Sequence, residues 1–157
     1  MFRPAFALCA IVWLASASPT AGVAAAATTL AAPKSVANEP LFTDIARRAG
    51  LLKIETEGWS KSGLDGEIAK LSGFDAFKAD IAALAELDMK GHVVLAARGA
   101  DGDLKCILKG ISQDLAVKLL ALEAASTPKA RVQAMNDLTY LLRDNVEVIT
   151  TPATTTS

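Results

Sequence analysis

Apolar residues recur at every third or fourth position over most of the chain and alternate over almost none of it, so the elements they predict are helices. Leu41, Ile45, Ala49 and Leu52 define a first short helix, ending near Gly50. Residues 53–66 (KIETEGWSKSGLDG) carry three glycines and mixed charge and read as a loop, with Trp59 folded back on the core. Leu64, Ile68 and Leu71 then continue into Phe74, Phe77, Ile81, Leu84 and Leu87, a stripe broken at Ser72-Gly73. Ser72 with Asp75 three residues on has the spacing of a capping box, which splits the stripe into helices over 64–71 and 73–89.

Two readings compete over 91–111 (GHVVLAARGADGDLKCILKGI). One is a β-hairpin at about 92–109, its strands joined by GADGD with Leu104, Cys106 and Leu108 on one face, which gives an α+β fold. In the other, a helix over 103–125 places Leu104, Leu108, Ile111, Leu115, Leu119 and Leu122 in one unbroken stripe. Gly110 costs that helix up to ~1 kcal/mol, which six buried leucine-class side chains outweigh. Thr127 caps a last helix over 128–149, with Pro128 in its first turn and Val132, Met135, Leu138, Leu142, Val146 and Ile149 on its buried face. The link between these two helices is so short that they must lie antiparallel. The fold class is therefore all-α, a small bundle of about four longer helices.

The ends of the chain have a different texture. Arg3 precedes an apolar run over 4–17 (PAFALCAIVWLASA) that is too short for a membrane span, and Pro19 and small residues follow. This pattern predicts a cleaved signal peptide over 1–27, with cleavage near Ala25 to Ala27 or, earlier, at Ala15-Ser16-Ala17, and hence a periplasmic or secreted protein. The competing reading is an uncleaved N-terminal anchor. Residues 28–40 read as a flexible lead-in, 41–149 as the helical domain, and 150–157 as a disordered tail rich in threonine. No second run is long enough to be transmembrane.

Composition narrows the chemistry. A net charge of −1 lacks the positive surplus of a protein that binds a phosphate backbone, which argues against a nucleic-acid partner. Cys9 lies in the signal segment, so Cys106 is the only thiol left after cleavage and no intramolecular disulfide is available to the exported chain. A free cysteine is most often buried and inert, and that is the expectation for Cys106. In the helical reading, however, Cys106 shares a second apolar facet with Val117 and Leu120, away from the leucine stripe. A helix apolar on two sides is central in its bundle or covered by another chain, which makes Cys106, Val117 and Leu120 a candidate interaction seam or intermolecular disulfide site.

His92 is the only histidine, and no close-spaced His/Cys pattern surrounds it. Asp101-Gly102-Asp103 opens like a calcium loop, but Ser112 stands where the closing glutamate belongs. C-x-x-C-H, G-x-S-x-G and glycine-rich phosphate loops are all missing. No cofactor is implied. The residues point to a non-catalytic exported protein that binds another protein, a second copy of itself or an amphipathic ligand through an apolar face. The alternative is a metal- or haem-binding protein or enzyme centred on His92 and Cys106.

Overall fold

The stripes become four helices: α1 (Pro40–Ser62), α2 (Phe74–Ala97), α3 (Leu104–Glu123) and α4 (Pro128–Thr150), with a 3₁₀ turn at Ile68–Lys70. The computed structural model describes residues 35–99 and 103–151, and no strand occurs among them. The signal segment, the lead-in as far as residue 34 and the tail from 152 lie outside the described residues. Both arms of the alternative hairpin are helical, 92–97 closing α2 and 104–109 opening α3, so the four-residue stripe prevails over the turn signal between them.

The N-terminal half departs from expectation at the end of α1, over 64–71, and at the end of α2, which runs to Ala97 and not to 89. α1 does not stop near Gly50 but runs on to Ser62, and Gly63 then ends it at φ 92°. The stripe continues through residues whose polarity disguised it. Thr56 is fully buried, its hydroxyl donating to the Lys53 carbonyl at 2.8 Å and lying 2.9 Å from the Thr139 hydroxyl of α4. Trp59 does pack on the core as expected, edge-on to Phe77 at 4.9 Å and Phe74 at 6.0 Å, but it does so from a helix and not from a loop.

The expected helix over 64–71 shrinks to the 3₁₀ turn, with Leu64 and Ile68 plugged into the core. The Ser72 capping box does not form either. Gly73, at φ 83°, is the residue that enters α2, and Asp75 pairs with Lys78 at 3.0 Å. The cap of α4 is as expected, with the Thr127 hydroxyl accepting from the Ala130 N–H at 3.2 Å. On α4, Val132 is 47% exposed, and Arg131 takes the buried position beside it.

Packing is broadest between α2 and α3 and between α1 and α4, with α3 on α4 and α1 on α2 completing the bundle. Phe42, Ile45, Leu84, Leu108, Leu115, Leu122, Met135, Leu138 and Leu142 are wholly buried where the helices meet. Each such side chain contributes about 1.5–3 kcal/mol on removal from water, so this core is the main source of stability. The two connections at one end are clasped together by Arg131. Its guanidinium donates to the carbonyls of Leu64 (3.1 Å) and Asp65 (2.8 Å) in the α1–α2 connection, and to those of Ala125 (3.2 Å) and Ser126 (2.9 Å) after α3.

Candidate functional site

One face of α3 and one polar pair in the core stand apart from ordinary bundle packing. α3 turns Leu108, Ile111, Leu115 and Leu122 inward, as the stripe requires. Its opposite side carries Val117, 59% exposed, and Leu120, 63% exposed. Ala121 and Ala124 lie along the same outward line and are exposed as well. The outward face of a solvated helix ordinarily carries charges. Here the flanking charges are paired, Lys118 with Asp137 at 3.3 Å and Glu123 with Lys78 at 3.4 Å, which leaves the apolar line between them uninterrupted from residue 117.

Cys106 sits on this same face near the start of α3, about 20 Å from Leu120 along the helix axis at ~1.5 Å rise per residue. Its thiol is exposed, which corrects the expectation of a buried one. The position faces solvent because Leu108 and Ile111 already occupy the inward arc, and Cys106 lies across the helix from them.

His92 is half-buried on α2, and its Nδ1 stands 2.6 Å from the carbonyl oxygen of Lys105. A carbonyl only accepts, so Nδ1 bears the proton and donates, and the ring straps α2 to the first turn of α3. The strap reaches the backbone beside Cys106, not its thiol. Among the described residues, no group of three or more His, Cys, Asp or Glu side chains is placed to hold a metal ion.

The polar pair is Asp88 of α2 and Asn145 of α4, both wholly buried. The Asn145 amide donates to Asp88 Oδ2 at 2.8 Å. Burial drives the Asp88 carboxyl up to about 7, against a smaller opposite pull from the Asn145 amide. Sequence reading missed this pair. The available signal was that Asp88 falls one turn beyond Leu84 on the core stripe of α2, and Asn145 three residues beyond Leu142 on that of α4.

A second apolar strip, Leu51 and Ile54 of α1 (56% and 64% exposed), borders a shallow hollow against Arg143, Val146 and Glu147 of α4. Charges frame it closely. Arg143 reaches Glu147 at 3.4 Å, and Lys53 reaches Glu57 at 2.7 Å. No protein-family model matches the chain, and searches of curated proteins and of solved structures find no match to it. Among the described residues, no helix is long and apolar enough to cross a membrane.

Proposed function

We propose that this chain is a non-catalytic, exported helical protein that binds another protein through the outward face of α3, the occupant being an amphipathic helix. The observation that carries this reading is the uncharged line Val117, Leu120, Ala121 and Ala124 on the surface of a helix whose other side is already core. The spacing of three, one and three residues is that of a helix–helix seam, with two bulky anchors and two small residues that allow a partner backbone to come close. Export follows from the N-terminal signal pattern.

Burying what remains exposed of Val117 and Leu120 contributes at most about 3–6 kcal/mol together, no more than the cost of association itself, so other contacts across the seam must add to these anchors. The test is a photo-crosslinking residue at position 121 or 124, carried by the full chain and expressed in its host. The reading expects a discrete adduct from both positions, none from Glu86 on the exposed side of α2, and loss of the adduct in Val117→Glu/Leu120→Glu with the helical content unchanged. An adduct whose mass is twice that of the chain assigns a second copy as the partner. A chain that gives no adduct from either position, or one untouched by the double substitution, overturns the reading.

A further inference from the structure

The Asp88–Asn145 pair has no part in the α3 face, and its hydrogen bonds do not balance. Asn145 Nδ2 donates to Asp88 Oδ2 at 2.8 Å, while Asp88 Oδ1 and Asn145 Oδ1 are both buried without a partner. The two leftover atoms are acceptors, one on each member of a pair already joined. If Asp88 is ionised, the core holds a full negative charge answered by one neutral amide, a costly arrangement for a buried carboxyl.

One proton changes the count at both atoms together. On Asp88 Oδ1 it makes an O–H that donates to Asn145 Oδ1, while the amide N–H keeps donating to Asp88 Oδ2. Two antiparallel hydrogen bonds then close an acid–amide ring, and neither oxygen is left over. The geometry points to Asp88 being held in the fold as a neutral carboxylic acid whose proton completes a clasp between α2 and α4, so that the bundle loosens when this proton is lost.

The charged and titratable groups on the elements around it face solvent or are bonded to other partners. On α2, Glu86 and Lys90 are exposed, and His92 gives its Nδ1 proton to the Lys105 carbonyl of α3. On α1, Arg48 is bound to Asp44 at 2.9 Å. α3 turns Leu108 and Ile111 into the core, with Ser112 donating to the Ala85 carbonyl at 2.8 Å, and its Lys109 and Asp114 face solvent. On α4, Arg143 pairs with Asp144 at 3.3 Å, and Arg131 serves its four carbonyls. Burial and the Asn145 amide are the two influences on Asp88, and burial dominates.

The sign follows from the raised carboxyl. A group at 3.8 when unfolded and about 7 when folded keeps a proton that the unfolded chain has released. Its contribution is therefore complete below the unfolded value and is lost as pH rises through about 7. From about pH 5 to about pH 8, linkage predicts roughly a hundredfold rise in the unfolding equilibrium constant from this group alone.

Asp88→Asn is the informative variant, because the amide has the shape of the neutral acid and can close the same ring without a titratable proton. Urea denaturation of the full chain is expected to show the hundredfold change in wild type and to lose it in Asp88→Asn, which becomes the more stable of the two at the alkaline end. Parallel profiles for the two proteins would overturn the proposal. Carbon NMR of the Asp88 carboxyl in wild type tests it without any variant: a midpoint near 7 supports the neutral acid, and a midpoint near the ordinary aspartate value refutes it.

Discussion

The same substitution, glycine to alanine, is expected to act with opposite sign at two helical positions of this protein. Gly91 lies inside α2 where three helices meet. A β-carbon built there stands 3.0 Å from Leu108 Cδ1, 3.3 Å from Ile45 Cδ1 and 3.3 Å from Phe42 Cε1. All three neighbours are wholly buried, so none can swing into solvent to make room. Alanine gains about 1 kcal/mol over glycine in a helix interior, and overpacking a closed core costs about 1–3 kcal/mol. The cost prevails at Gly91, with a net loss of about 1 kcal/mol. Gly110, inside α3, has no heavy atom within 4 Å of the added carbon. Only the helical gain remains there, and Gly110→Ala is expected to stabilise by about 0.5–1 kcal/mol.

Urea titrations followed by far-UV circular dichroism measure both, with the midpoints compared at a common slope. Gly91→Val, bulkier and β-branched, extends the series downward. If Gly91→Ala raised the midpoint as much as Gly110→Ala does, the close approach of α2 to α1 and α3 at residue 91 would be wrong, and with it the layout of the core.

Two further predictions concern positions that no local pattern singled out or for which the expectation was reversed. Arg131→Ala leaves four carbonyls without their donor, one of them the buried Leu64 carbonyl, and is expected to cost about 3–5 kcal/mol. Arg131→Lys keeps the charge but cannot span both connections, so it should recover less than half of that loss, and a fully recovered midpoint would refute the clasp. In a Cys9→Ser background, Cys106 is expected to react stoichiometrically with an aromatic disulfide reagent before any denaturant is added, because its thiol is exposed. Cys106→Ser should shift stability by less than about 0.5 kcal/mol, and slow modification limited by unfolding would contradict the exposed placement.

How far the sequence could be read depended on whether the deciding contact was local. α4 was legible almost to the residue, and so was α3 once its stripe is preferred to the hairpin reading of 92–109, because a stripe of leucine-class residues, a threonine cap and a first-turn proline all act within a few positions of each other. The end of α1 was not legible. Past Leu52 its buried side becomes Thr56 and Trp59, and Thr56 is tolerable in the core because Thr139, 83 residues away, meets its hydroxyl.

The candidate face on α3 was half legible. The helical period by itself set Val117 and Leu120 opposite the core stripe and grouped them with Cys106. It did not say whether another helix of the bundle covers that side, so the general tendency of free cysteines to be buried stood as the expectation where an exposed thiol is found.

By itself, then, the sequence determined an all-α bundle of about four longer helices, the inward stripe of α3, most of those of α2 and α4 and that of α1 as far as Leu52, and the second apolar facet of α3, since periodicity is a property of neighbouring residues. Only the tertiary structure decided which polar groups belong inside. Asp88 finds Asn145 across 57 residues, and Arg131 reaches the Leu64 carbonyl across 67. A charged or amide side chain can leave water only where a partner is already in place, and for these residues the partner is brought near by packing of helices that are remote in the chain.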